Sequence, residues 1–162
     1  MQQMTHKDAR KRLKRYYLFV ECLKLDGIRE EEIDALDAEE LIPARSSTDY
    51  SNSDMPRGSN VDGSAAETLI LHYVEMLSDI RNTRAAIHAL KITQQVFIDY
   101  RFKIGWSFAR LVREMKPHGL YTSETGMRRY EKEVLEAFIE ALGYEVLTGA
   151  HQETLARPSN FK

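Results

Sequence analysis

The chain has 162 residues, of which 43% are hydrophobic and 30% are charged, and its formal net charge is -2. This length suits one domain with a hydrophobic core, or a small globular part extended by long helices. No apolar run approaches the roughly 18 residues of a membrane-spanning helix, and the basic N-terminus lacks the apolar stretch of a signal peptide. We therefore expect a cytoplasmic protein that makes no membrane contact.

Charge is distributed unevenly along the chain. Residues 7–15 contain six Lys or Arg, residues 26–40 contain eight Asp or Glu, and residues 101–132 contain eight Lys or Arg against three acids. Because phosphate contacts depend on the local field, a nearly neutral protein with such segments can still present a basic face to nucleic acid.

The motifs that would indicate an enzyme or a metal site are missing from the sequence. It contains no Gly-rich phosphate loop, no nucleophile-and-base signature, and no Cys or His spacing typical of zinc. The single cysteine, Cys22, cannot form an internal disulfide, and its place beside Leu23 predicts a small apolar core residue. We expect no catalytic residue, no metal and no cofactor.

Residues 1–42 are predicted to form an N-terminal helical segment. An apolar stripe at steps of three, four and three residues indicates an amphipathic helix over 6–25; it consists of Leu13, Tyr16, Val20 and Leu23. The basic residues of this helix could contact phosphate or form a solvated face, and both readings stay open for Lys7, Arg10, Lys11, Arg12, Lys14 and Arg15. A short acidic helix over 30–41 should follow, presenting Ile33 and Leu36.

Residues 43–63 should form a long loop or linker, because they are rich in Ser, Asp, Asn, Gly and Pro. Within them, Met55-Pro56-Arg57-Gly58 is typical of a turn in which Pro56 sets φ. The alternative is that Met55 and Arg57 dock on a partner or on a neighbouring subunit.

Residues 64–100 are predicted to form one long, coiled-coil-like helix. Its apolar positions alternate steps of four and three over about four heptads. We expect this seam, residues 69–97, to pack against the first helix in an antiparallel hairpin, against a second subunit in a homo-oligomer, or in both ways. Its positions are Leu69, Tyr73, Met76, Ile80, Thr83, Ile87, Leu90, Gln94 and Phe97.

A pair of helices is predicted within residues 101–143. The apolar positions of the first helix recur at three- and four-residue steps, and a stop signal follows at 116–119; these positions are Phe108, Leu111, Val112 and Met115. The second helix should begin near Thr122 or Ser123, whose side chain can cap free backbone N–H groups, and end at Gly143. A short helix, a turn and a polar, basic second helix are the plan of a helix-turn-helix.

The order of residue types in this region also resembles a known family. The aromatic residues Tyr100 and Phe102 precede Gly105, and Ser107-Phe108 follows it. Together with the apolar positions of the two helices, this order resembles the DNA-binding end of bacteriophage transcriptional regulators of the ArpU and RinA type, which is similar to region 4 of bacterial sigma factors. The resemblance implies a phage or prophage regulator that binds double-stranded DNA, near a late-gene promoter, and can contact host RNA polymerase.

The proposed motif assigns roles to individual side chains. Residues on the first two turns of a recognition helix meet base edges in the major groove, and flanking cations contact phosphates. We predict base readout by Ser123, Glu124, Thr125 and Arg128. Phosphate contacts are predicted for Arg110, Arg113, Lys116, Arg129 and Lys132. The role of Arg129 has an alternative, because this residue could instead pair with Glu133. Gly126 is an unfavourable helix former in this position.

Residues 144–162 lose the helical period and are predicted to form a flexible tail. The fold class expected for the whole chain is all-α, with a long helical hairpin or coiled coil followed by a C-terminal helix-turn-helix. Two further functions fit the same elements. One is a phage small terminase-like DNA-packaging subunit, in which the coiled stretch would form a ring, and the other is a helical adaptor whose basic patches bind acidic protein.

Overall fold

The computed structural model describes residues 2–38 and 61–147, with side chains in the second range described from residue 67. The described residues are mostly helical, in agreement with the predicted all-α class. None of the described helices is both long and apolar enough to span a membrane. The elements in chain order are β1 (Gln3–Thr5), α1 (His6–Leu25), a 3₁₀ helix (Glu30–Ala35), α2 (Val61–His88), α3 (Ile92–Ile98), a π-helix (Asp99–Ile104), α4 (Phe108–Glu114), a 3₁₀ turn (Lys116–His118), α5 (Glu124–Ala141) and β2 (Glu145–Leu147).

The described residues divide into two compact units. Residues 2–22 and 83–147 form the first unit, and residues 23–38 and 61–82 form the second. The first unit has an apolar core to which α1 and α3 to α5 contribute, and its largest fully buried side chains are Tyr16, Phe97, Phe138, Leu13, Ile98, Leu111, Met115, Met127, Leu135 and Ile139.

Helix α1 begins at a reciprocal pair of side-chain caps. The Thr5 hydroxyl accepts a hydrogen bond from the backbone N–H of Asp8 at 3.1 Å, and the Asp8 carboxylate accepts one from the Thr5 hydroxyl at 2.7 Å. The predicted stripe is confirmed, because Leu13, Tyr16, Val20 and Leu23 are all buried. The prediction for Cys22 was wrong. This residue is exposed, since it lies one position off the buried stripe of the helix.

One basic residue of α1 is internal rather than solvated. Arg12 is buried, and its Nε donates a hydrogen bond to the hydroxyl of Thr83, which is fully buried, at 2.9 Å. A hydrogen bond of this kind compensates for removing polar groups from water. Thr83, which the sequence pattern placed in the seam, therefore has a specific structural partner.

The second unit is stabilised by an arginine that binds the end of the first 3₁₀ helix. Ile33 and Leu36 are buried, as predicted for the acidic segment, although this segment forms a 3₁₀ helix over Glu30–Ala35 and not an α-helix over 30–41. The Arg81 guanidinium donates hydrogen bonds to the backbone carbonyls of Ile33 and Leu36. These bonds add side-chain donors at the end of the short helix, where the Ile33 carbonyl also accepts from the Leu36 N–H at 3.3 Å.

The prediction of one continuous helix over 64–100 was wrong. Helix α2 ends at His88, α3 begins after Lys91, and a π-helix follows α3. Gln94 accepts a hydrogen bond from the Lys91 N–H at 3.2 Å, and the Gln95 side chain donates one to the Leu90 carbonyl at 2.8 Å. These side chains satisfy backbone groups at the break, so no Gly or Pro is needed there.

The predicted tail also requires correction. Residues Glu145–Leu147 form β2, which pairs with β1 in parallel, with Met4 opposite Val146. The Glu145 N–H also donates to the Gln2 carbonyl at 3.0 Å. Residues 148–162 lie outside the described residues. The predicted loop over 43–63, which contains Met55 and Arg57, also lies outside them, except for residues 61–63, which belong to α2.

Candidate nucleic-acid interface

Serine side chains begin both helices of the predicted pair. The Ser107 hydroxyl accepts a hydrogen bond from the Arg110 N–H at 3.3 Å, and the Ser123 hydroxyl accepts one from the Gly126 N–H at 3.2 Å. Each bond satisfies a backbone donor that a helix N-terminus leaves free. The prediction that the second helix begins near Thr122 or Ser123 is confirmed, because Ser123 caps a helix that starts at Glu124.

Residues 115–123 separate α4 from α5 and include a short 3₁₀ turn. Lys116–His118 form a 3₁₀ turn, and Gly119 closes it at a φ of 85°, a left-handed conformation that favours glycine. The N–H of Leu120 donates to the carbonyl of Met115 at 3.2 Å, which satisfies a carbonyl at the end of α4. The predicted stop at 116–119 is therefore confirmed, and Phe108 to Arg129 do not form one continuous helix.

Glycine is a poor helix former, and its presence at position 126 is explained by the close approach of Thr122. A Cβ atom at this position would overlap the Thr122 hydroxyl oxygen. The residue before the Ser123 cap therefore occupies the space in which a side chain at 126 would lie. Local packing at the start of α5 outweighs the propensity cost of glycine.

Apolar packing decides which side of each helix faces outward. Leu111 and Met115 of α4 are fully buried, and so is one side of α5, formed by Met127, Val134, Leu135, Phe138 and Ile139. The ring of Tyr130 packs edge-on against Phe97 of α3, with ring centres 5.2 Å apart. Burial, with a smaller effect from the Glu133 carboxylate, raises the pKa of Tyr130 above its ordinary value of 10.0. The opposite side of α5 is left to solvent.

All nine side chains predicted to contact DNA are exposed. The four assigned to base readout, Ser123, Glu124, Thr125 and Arg128, lie at or just after the N-terminus of α5. The five assigned to phosphate are Arg110, Arg113, Lys116, Arg129 and Lys132. Among the described residues, Arg129 forms no ion pair with Glu133, the alternative that the sequence had left open.

The structure brings Arg128 of α5 to Phe108 of α4. The guanidinium carbon of Arg128 lies 4.6 Å from the centre of the Phe108 ring, and that of Arg101 lies 4.0 Å from the same centre. A guanidinium over an aromatic ring is attracted by the negative ring face. Phe108 therefore connects the proposed base-reading residue with a cation from the preceding π-helix.

Arg110 is less free than the sequence suggested. Its guanidinium carbon lies 4.1 Å from the Trp106 ring centre, and its Nε lies 3.9 Å from the Glu114 carboxylate one turn away. Trp106 is half-buried and stacks on Tyr100, with ring centres 4.3 Å apart, and the Tyr100 hydroxyl hydrogen-bonds to His118 at 3.1 Å. These aromatic contacts orient Arg110 beside the turn.

A buried carboxylate was missed by the sequence analysis. Glu131 of α5 is only 3% exposed, and its Oε1 lies 3.4 Å from Arg101 Nε and 3.6 Å from Arg10 Nε. It thereby links α5 to α1 and to the π-helix. The available signal was weak: Glu131 lies four residues after Met127 and three before Val134, so it falls on the buried side of α5.

No protein-family model, curated protein or solved structure matches this chain. Among the described residues, no group of three or more His, Cys, Asp or Glu side chains could hold a metal ion. The functional assignment therefore depends on the exposed basic and polar face of α4 and α5.

Proposed function

We propose that this protein is a sequence-specific regulator that binds double-stranded DNA through α4 and α5, acting as a helix-turn-helix. One observation carries the proposal. The first two turns of α5 expose Thr125, Arg128 and Arg129, whereas Met127 on the same turns is fully buried. A helix whose packed side is apolar and whose free N-terminal turns carry polar and basic side chains fits the major groove.

Different roles follow from position along the two helices. Arg128 can donate two hydrogen bonds to guanine, a contact worth about 1–3 kcal/mol of discrimination, and Ser123, Glu124 and Thr125 lie beside it. Arg110, Arg113, Lys116, Arg129 and Lys132 are proposed to contact phosphates, which orient the protein on DNA without reading sequence.

The biological setting follows from the resemblance in residues 100–138. On that basis we propose a phage or prophage regulator of late genes, with host RNA polymerase as a further partner. We also propose a homo-oligomer through the N-terminal half of the predicted 69–97 seam, because Ile87, Leu90 and Phe97 of its C-terminal half are already buried. Support for it comes from the N-terminal half of this seam, where Leu69 is 40% exposed, whereas Ile80 and Ile87 are buried.

Binding to duplex DNA measured against salt tests this function. Contacts to several phosphates require the logarithm of the affinity to fall linearly with the logarithm of salt concentration. The absence of binding at low salt would reject the proposal and leave a protein adaptor. The mass in solution provides a second criterion, because a large ring would favour a terminase-like subunit over a regulator.

A further inference from the structure

A partly open cavity of about 210 Å³ lies in the first unit, next to α5. It is lined by Arg10 and Lys14 of α1, by Arg101 and Phe102 of the π-helix, and by Gly105 and Glu131. Three cationic side chains and one carboxylate leave an excess of two positive charges at neutral pH. Such an excess in a concave site attracts anions.

Glu131 holds two of these cations without neutralising the cavity. Its Oε1 lies 3.6 Å from Arg10 Nε and 3.4 Å from Arg101 Nε. A guanidinium has five N–H donors, so a contact through Nε leaves the terminal nitrogens for other acceptors. Arg101 Nη1 donates to the Trp106 carbonyl at 2.9 Å, which further restricts this side chain. The arrangement therefore presents guanidinium donors that are already oriented.

Lys14 adds a positive charge at the exposed wall of the cavity. Its side chain is exposed, one turn after Arg10 on α1. A phosphoryl group has several acceptor oxygens, and it can bind two guanidinium groups and an ammonium at the same time. A phosphoryl group is therefore the ligand whose charge and acceptors suit this set of donors.

We infer that this cavity binds a phosphoryl group and that, in the DNA complex, the group is a backbone phosphate beside the bases read by Arg128. The second half of the inference rests on the proposed function. Arg128 and Glu131 are three residues apart on α5, so their side chains leave the helix at neighbouring positions, with Arg128 exposed and Glu131 buried. Arg101 contacts Glu131 and also Phe108, the ring over which Arg128 lies.

The first experiment titrates inorganic phosphate into the DNA-free protein and follows the Gly105 amide and the Arg10 and Arg101 Nε–H signals by NMR. At constant ionic strength, we expect saturable shifts of these signals in the wild type. Lys14→Glu should abolish saturation, because it reduces the excess charge from two to zero. Lys91→Glu is the matched control: Lys91 is an exposed residue at the start of α3 that does not line the cavity and has no proposed DNA contact.

The second experiment measures DNA affinity against salt for the same two variants. Loss of one phosphate contact reduces the steepness of log affinity against log salt concentration by about 0.9. A fourfold rise in salt should therefore weaken the DNA affinity of Lys14→Glu about 3.5-fold less than that of the wild type. Lys91→Glu should retain the wild-type slope. Equal melting temperatures of the two variants would exclude a folding defect as the cause.

The two experiments distinguish the sources of the phosphoryl group. Saturable phosphate binding with a reduced slope in Lys14→Glu supports a DNA backbone phosphate. Saturable phosphate binding, with the same salt slope of DNA affinity in Lys14→Glu and the wild type, supports a free phosphate and overturns the DNA half of the inference. If chloride produces the same NMR shifts as phosphate, and the salt slopes of the two proteins are equal, the cavity is not a phosphoryl site. Failure of the wild type to bind DNA rejects the proposed function and leaves the NMR test of the cavity intact.

Discussion

The guanidinium of Arg128 lies over the ring of Phe108, with its central carbon 4.6 Å from the ring centre. This contact joins the second turn of α5 to the first residue of α4, although Arg128 is exposed. A long side chain held in this way samples fewer rotamers before binding, so it loses less conformational entropy when it meets a base. The relationship makes Arg128 a preorganised donor in the proposed complex.

Arg128→Ala and Arg113→Ala should have different effects on DNA binding. We expect the first to lower the affinity for the preferred sequence about 5- to 100-fold, with little change for unrelated DNA, because a bidentate base contact is lost. Arg113→Ala should weaken both sequences alike, because a phosphate contact carries no sequence information. Titration of each variant against preferred and scrambled duplexes measures this difference. Equal, sequence-independent losses in both variants would contradict the assigned roles.

Phe108→Leu tests whether the ring orients Arg128. Leucine keeps an apolar side chain on α4 but removes the aromatic face, a contribution of about 0.5–1 kcal/mol at exposed sites. Specific affinity should therefore fall about two- to fivefold, with the nonspecific affinity unchanged. Phe108→Tyr retains the ring face and is the matched control. If the tyrosine variant binds as weakly as the leucine variant, the orienting role is wrong.

Glu131→Gln should destabilise the first unit. The buried carboxylate interacts with Arg10 and Arg101, and a hydrogen bond to a charged group contributes about 1.5–3 kcal/mol. We expect the free energy of unfolding, measured with urea, to decrease by an amount within that range. Glu133→Gln, at an exposed position of the same helix, should change it by less than about 0.5 kcal/mol. Similar losses in both variants would show that the buried ion pairs contribute nothing specific.

The Thr5–Asp8 cap predicts a pH-dependent contribution to stability. Hydrogen bonding from Thr5 holds the pKa of Asp8 below its ordinary value of 3.8. Because the folded pKa lies below the unfolded one, the contribution is present above the unfolded pKa and is lost as pH falls through the folded pKa. Asp8→Asn should therefore be less stable than the wild type at neutral pH, by about 0.5 kcal/mol.

Urea unfolding of wild type and Asp8→Asn between about pH 7 and pH 2.5 measures that difference. It should stay constant down to about pH 5 and shrink at lower pH as Asp8 becomes protonated. A difference that does not vary with pH would show that the carboxylate charge has no part in the cap.

Gly126→Ala and Thr122→Ala should be non-additive. Alanine is a better helix former than glycine by about 1 kcal/mol, but its Cβ would overlap the Thr122 hydroxyl in the present conformation. The Gly126→Ala change should therefore be more favourable in a Thr122→Ala background than in the wild type, with a gain below about 1 kcal/mol because the Cβ of residue 122 still lies 3.0 Å from the added Cβ. Thermal unfolding of the four proteins in this cycle measures the coupling, and additive effects would contradict the steric explanation.

Helix ends and buried stripes were predictable from the sequence because their causes are local. Ser123 can cap a helix from its own position, Gly119 supplies a left-handed turn, and the spacing from Leu13 to Leu23 defines one buried face. The exposure of Thr125 and Arg128 follows from the same helical period. These parts of the fold and of the candidate site require no knowledge of distant residues.

The remaining features depend on contacts between distant residues. The helix break after His88 contains neither Gly nor Pro, and it depends on side-chain hydrogen bonds from Gln94 and Gln95. The apolar spacing continues through the break without interruption, so the sequence pattern does not indicate it. Pairing of β1 with β2 joins the two ends of the described chain. Glu131 meets Arg10 across 121 positions, so no local pattern could identify their interaction.

Selection of bound sequences from random duplex DNA, with wild type and Arg128→Ala in parallel, tests the central proposal most directly. The wild type should enrich a defined site containing a guanine, and Arg128→Ala should lose the preference at that guanine while keeping the rest of the site. Enrichment of the same site with the same guanine by both proteins would contradict base readout by Arg128. The absence of any enriched sequence with the wild type would contradict sequence-specific DNA binding as a whole.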